Sequence, residues 1–279
     1  MEQIKRLTLG YSPCPNDTFI FYALTHGKVG APGALVSEIL EDVETLNTKA
    51  FAAELDLTKV SFHAFAHLMD KYCMLKSGGA LGRGCGPLVV SKKYSDMDGL
   101  RGGRIAIPGK YTTAHLLLML YGSGFDNVAI MQFDKIMPAV AAGEVDAGLI
   151  IHEGRFTFQR YGLKKLLDLG EWWEGETGLP IPLGCILAKR SLGAETVSSV
   201  ERAIRESIKY AYANGGDTKS YIKRHAQEME EGVIESHIGL YVNDFSIDLG
   251  EEGIKAVETL FGRAASAGVI PVSDKPLFI

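Results

Sequence analysis

Short apolar blocks recur through the first two thirds of the chain, separated by longer mixed stretches, and each block is bounded by glycine, proline or a capping residue. Residues 4–10 alternate apolar and polar positions and predict a first strand. That strand runs into Tyr11-Ser12-Pro13-Cys14-Pro15-Asn16-Asp17, a loop stiffened by two prolines. Asn16 or Asp17 is expected to cap a helix over 18–26. Residues 34–40 predict a second strand and 45–55 a second helix. Val60 and Phe62 predict a third strand, with Lys59, Ser61 and His63 interleaved, and residues 64–72 continue as helix. Residues 75–88 carry Gly78, Gly79, Gly82, Gly84 and Gly86. They lack the Lys-Ser/Thr ending of a phosphate loop and the spacing of a dinucleotide fingerprint, so they read as flexible crossing backbone.

A second strand–helix series follows. Strands are predicted at 88–91, 104–107, 128–133 and 146–151. The turn 108–113 opens a helix to about 121, and 136–142 predicts a helix that tolerates Pro138 only near its start. A short helix is expected at 156–161, another around Trp172-Trp173, and an apolar strand from about 180 to 188. From Ala194 on the pattern is helical, and Leu260-Phe261 with the end 276–279 is expected to pack back on the first domain. The expected architecture is α/β with two lobes: 1–87 plus 188–279, and 88–187. Crossings at Gly86-Pro87 and at 182–184 would act as a two-strand hinge over a central cleft that closes on a small ligand.

Composition narrows the function. A chain of 279 residues suits two domains, and 46% hydrophobic with 23% charged residues excludes long disorder. A net charge of −5 without a Lys/Arg cluster argues against a nucleic-acid partner. No stretch approaches 18 consecutive apolar residues, so no membrane helix is expected, and residues 6–12 are too polar for a signal-peptide core. Cys14, Cys73, Cys85 and Cys185 form no C-x-x-C, and read as reduced thiols in a cytoplasmic protein, not as a zinc site.

The candidate chemistry gathers at strand ends. Leu149-Ile150-Ile151, between Gly148 and Gly154, suits a buried parallel strand that delivers His152 to the crevice above the sheet. There an imidazole can move a proton in the histidine range, although a histidine that merely caps a strand and bonds a carbonyl fits the same pattern. Other corners carry Ser12, Asn16 and Asp17; Lys59, Ser61 and His63; and Thr112 with Thr113. Thr112-Thr113 is either a plain helix cap or a site where a ligand carboxylate meets a hydroxyl and free N–H groups. His63 and His67 lack the glutamate of H-E-x-x-H, and His115 stands apart, so none is read as a metal ligand. Glu153 is expected on the opposite side of a strand from His152. No G-x-S-x-G elbow is present.

The segments S-P-C-P-N-D-T-F at 12–19, T-K-V-S at 58–61, P-G-K-Y-T-T-A at 108–114 and G-L-I-I-H-E at 148–153 resemble the 1,4-dihydroxy-6-naphthoate synthase family of the futalosine route to menaquinone. G-E-W-W at 170–173, G-L-P-I-P-L-G at 178–184 and Y-V-N-D-F-S at 241–246 extend the likeness over essentially the whole chain. The resemblance implies a fold like the type II periplasmic binding proteins. It also implies cleavage of cyclic dehypoxanthinyl futalosine, without metal or organic cofactor. It makes the histidine at 152 the proton acceptor and brings the segments Lys59-Val60-Ser61 and Thr113-Ala114 to the substrate. The sister chorismate dehydratase and a non-catalytic solute-binding protein are the alternatives. The motifs at 12–17 and 150–153 favour the synthase over the first. The second would carry a leader or lipid-anchor cysteine at its N-terminus.

Overall fold

The computed structural model describes residues 4–226 and 230–279. Among them the strands are β1 (Lys5–Tyr11), β2 (Ala34–Leu40), β3 (Leu57–Ser61), β4 (Tyr72–Met74), β5 (Ala80–Gly82), β6 (Leu88–Ser91), β7 (Ile105–Ile107), β8 (Val128–Ile130), β9 (Ala147–Ile150), β10 (Lys164–Asp168) and β11 (Ile181–Lys189). They form two sheets. The first has the order β2-β1-β3-β11-β4, with β5 also on β11, and the second β10-β6-β9-β7-β8. β1 lies parallel to β2 and β3, and β7 parallel to β8 and β9. β11 is antiparallel to its neighbours, as β6 is to β9 and β10. The carboxyl ends of β1, β3, β7 and β9 feed loops that meet in a single cleft, as the crevice rule for open α/β sheets requires.

Three apolar clusters hold this arrangement. Leu9, Phe21, Leu57, Ile186, Ile204 and Ile208 pack the first sheet against the helices Pro15–Thr25 and Ala194–Ala213. Val90, Ala106, Ile136 and Val140 pack the second sheet against the helix Phe133–Ala142. The third cluster joins the two halves: Val60, Phe62 and Phe65 pack with Leu116, Leu117, Trp173, Val257 and Leu260. Each such side chain contributes about 1.5–3 kcal/mol on burial, so the halves share a core rather than sitting on a bare hinge. Phe261 touches Phe62 and Phe65, and Leu277 accepts a hydrogen bond from Met74 N, which returns the C-terminal end to the first sheet as expected.

Several expected boundaries move. Pro15 takes the first helical position, where its missing N–H is harmless and its φ is preset, so this helix starts earlier than 18 and Asn16 and Asp17 fall inside its first turn. Asp42 caps the second helix, which runs over Val43–Phe51 rather than 45–55. β3 stops at Ser61, all five of its residues are buried, and Phe62 opens a helix; a strand covered on both faces loses its polar alternation. Pro138 sits inside the helix Phe133–Ala142, where packing of Ile136 and Val140 offsets the lost backbone bond. β4, β5 and β10 were not expected. The glycine-rich crossing is close-packed: a Cβ on Gly86 would lie 2.1 Å from Gly170 N, so only glycine lets the two backbones touch. β11 lies in the first sheet, so the second crossing comes before Ile181 rather than at 182–184, and 181–187 belong with the first lobe. The pairing of β11 with β3 over Gly184–Ala188 imposes this.

Candidate active site

Asn16, Asp17, Lys59, Val60, Ser61, Thr112, Thr113, Ala114 and His152 all line one cleft of about 100 Å³. Ser12, Cys85, Pro87, Leu183, Gly184, His237 and Tyr241 complete much of its wall. Sites that enclose drug-sized ligands run to roughly 300 Å³ or more, so the cleft as it stands is small for such a ligand.

The first sheet's wall is a connected polar network. The Pro15–Thr25 helix sets Asp17 beneath the β1 loop, and its carboxylate accepts bonds from Ser12 N at 3.2 Å, Ser12 Oγ at 2.8 Å and Asn16 Nδ2 at 2.8 Å. Lys59, on β3, forms a buried ion pair with the same carboxylate. Asn16 spends its amide N–H on Asp17, so its Oδ1 faces His237 as an acceptor and His237 Nε2 donates, at 2.9 Å. His237 is fully buried on the helix Glu231–Tyr241, and burial together with the charge of His152 and Lys59 holds its pKa well below the ordinary 6.5. Ser61 ends β3 with its N–H on Asn47 Oδ1 at 3.0 Å, and Asn47 Nδ2 reaches Glu44 Oε2 at 3.0 Å.

Thr112 caps the helix Thr113–Tyr121, its Oγ1 accepting from His115 N at 3.3 Å and donating to Gly109 O at 2.8 Å. The Thr113 hydroxyl donates to Leu183 O at 2.6 Å and accepts from Phe62 N at 2.9 Å. It therefore bridges the helix to β11 and to the end of β3, and a carboxylate at this helix start would meet backbone N–H groups rather than that hydroxyl.

The opposite wall is built differently. β9 ends at Ile150, and His152 follows at φ 54°, a left-handed conformation that costs a non-glycine residue of order 1–3 kcal/mol. Its ring is half-buried, 5.0 Å from the Phe133 ring and 6.3 Å from the His237 ring, nearly parallel to the latter. No described residue hydrogen-bonds either ring nitrogen. Desolvation lowers its pKa to about 4; the Asp17 carboxylate opposes this and Lys59 adds to it. The imidazole is thus neutral at neutral pH, with a lone pair to accept a proton. Arg155 anchors this loop, donating to Gly86 O at 2.6 Å and to Asp168 Oδ2 at 2.6 Å.

The turn at His152 overturns the expected separation of its neighbour. Glu153 is not on a strand; it precedes the short helix Gly154–Thr157, is buried, and lies with Cys14 and His152 so that donor atoms of all three are within 4.8 Å of one another. Strand parity could not reveal this, because the left-handed residue reverses it. Cys14 and His237 were likewise missed: nothing in the local pattern around either distinguishes it from an ordinary buried residue. His63, His67 and His115 cluster with Tyr111 rather than in the cleft.

A family model described as menaquinone biosynthesis matches residues 7–266. The chain is 52% identical over 276 residues to a Thermus thermophilus protein named 1,4-dihydroxy-6-naphthoate synthase, covering 99% of this chain and 100% of that one. It is 49% identical over 271 residues to a Streptomyces coelicolor protein of the same name, covering 95% of each. A crystal structure from Archaeoglobus fulgidus, 42% identical, superposes with a TM-score of 0.89 over 95% of this chain and 98% of that one. The fold is shared with the alkanesulfonate-binding protein of Xanthomonas axonopodis, 15% identical with a TM-score of 0.72 over 98% of this chain and 96% of that one, and with a Candida albicans protein of the generic periplasmic binding protein fold, 13% identical with a TM-score of 0.69 over 96% of this chain and 92% of that one.

Proposed function

The chain belongs to the menaquinone-biosynthesis family, and from that premise we propose that it is a carbon–carbon lyase. Its substrate on this reading is cyclic dehypoxanthinyl futalosine, and its products are 1,4-dihydroxy-6-naphthoate and dihydroxyacetone. The observation that carries the reading is His152: a neutral imidazole, without a hydrogen bond to any described residue, on a strained turn at the mouth of β9, facing a connected polar wall. His152 takes the acidic proton next to the substrate carbonyl. Elimination and a retro-aldol-type carbon–carbon cleavage follow, and aromatisation of the naphthalene diol drives the product side. A positioned base supplies roughly 10²–10⁴-fold. Orientation by Lys59, Ser61 and the Thr112–Ala114 turn supplies more.

The test is single-turnover cleavage of cyclic dehypoxanthinyl futalosine by the wild type and by His152→Asn. Asn tolerates the left-handed turn better than most residues but cannot accept a proton at neutral pH. The expected result is product from the wild type and a loss of roughly 10²-fold or more in the variant, with binding little changed. Substrate returned intact by the wild type would make the protein a binder; turnover by the variant within a few-fold of wild type would move the base elsewhere.

A further inference from the structure

We propose that Cys14, His152 and Glu153 form a binding site for one thiophilic divalent cation of the zinc class, which staples the two lobes and takes the lone pair of His152. The donor atoms of these three side chains lie within 4.8 Å of one another. Cys14 stands at the head of the Pro15–Thr25 helix in the first lobe, while His152 and Glu153 follow β9 in the second. The site therefore draws its donors from both walls of the cleft.

The donor types match the ion. Sulfur, imidazole and carboxylate are the usual zinc donors, and three protein ligands leave a fourth position open. Cys14 and Glu153 are buried, at 1% and 5% exposure, so the site is enclosed. A thiolate and a carboxylate together balance a dication, which removes the main cost of placing one there. A thiolate also selects against magnesium and calcium, which take oxygen donors. With bonds of about 2.0–2.3 Å, the three donors have to draw in around the ion by up to about an ångström.

Metal uptake is read without turnover, by titrating chelator-stripped full-length protein with Co²⁺ and following the thiolate-to-cobalt charge-transfer absorption. The expected result is one ion per chain, displaced by Zn²⁺. In Cys14→Ser the absorption is lost, and in Glu153→Gln binding weakens at least about 10- to 100-fold, the loss that even outer partners of a bound metal produce. No saturable uptake, or an absorption that survives in Cys14→Ser, would overturn the site. The consequence for catalysis rests on the functional reading above. One equivalent of Zn²⁺ should stop cleavage by the wild type and a chelator should restore it, whereas full turnover with the ion bound would show that it does not hold His152. If the substrate assignment itself fails, the Co²⁺ titration still decides the metal site.

Discussion

On the first sheet's side of the cleft, Asp17 receives four polar contacts from Ser12, Asn16 and Lys59, and the chain of bonds runs on through Asn16 to His237. On the second sheet's side, His152 has only ring contacts among the described residues and sits at φ 54°. One wall rests on regular elements, a helix's first turn and a covered strand. The other rests on a single strained residue past a strand end, tied down three residues later by Arg155. The difference separates two tasks. A surface that orients a ligand gains from saturated hydrogen bonds, which hold its groups in place without reorganisation. A base must keep its lone pair free, and a ring saturated by protein donors could not accept a proton.

The contrast is broken most strongly from the bonded side. Lys59→Met leaves the Asp17 carboxylate buried without its cation, and removing one partner of a buried pair costs about 3–5 kcal/mol. Urea unfolding should show that loss, and Lys59→Met combined with Asp17→Asn should recover part of it. A Lys59→Met protein as stable as wild type would mean that the bonded wall is not a structural unit. On the other wall, His152→Asn should lose roughly 10²-fold in cleavage, about 2.7 kcal/mol of barrier, while its unfolding midpoint stays near wild type. A stability loss as large as that of Lys59→Met would erase the proposed division.

Thr113 lies between the walls, and its case separates what the sequence discloses from what it hides. The helix over Thr113–Tyr121, the β9 strand and the convergence of the corners at Asp17, Lys59, Thr112 and His152 were legible, because capping, apolar runs and strand ends are local signals. The partners of a hydroxyl are not. Leu183 and Phe62 are 70 and 51 residues away from Thr113, so its role as a clamp depends on β11 pairing with β3, which no local pattern specifies. The burial of Gly86 against Gly170 and the meeting of Cys14 with Glu153 are hidden for the same reason. Thr113→Val strands the buried Phe62 N–H, at about 1–3 kcal/mol when unsatisfied, and the part-buried Leu183 carbonyl at less. Its first effect is therefore on stability, and Thr113→Ser should restore most of it. Unchanged unfolding with weakened substrate binding would return Thr113 to the role of direct ligand.

The smallest expected effect is on the pH profile, and it bears on the free lone pair directly. An ordinary histidine base would give a rate that rises with pH through about 6.5. Burial lowers the pKa of His152 to about 4, so the neutral form already dominates at pH 5 and the rising limb shifts below it. kcat/KM, measured with a chelator present, should be flat on its acid side from pH 8 down to about 5. Stability carries the opposite signature. His63 is also lowered to about 4, by burial first and then by His67. A depressed histidine favours the folded state in its neutral form, so its contribution is complete above pH 6.5 and is lost as the pH falls toward about 4. Unfolding followed by urea between pH 7 and 4.5 should show the protein weakening before its activity declines, once each rate is corrected for the folded fraction. A rate limb centred near 6.5 that disappears in His152→Asn would mean that the imidazole is solvated or hydrogen-bonded in the working enzyme, and the contrast between the two walls would then not hold during turnover.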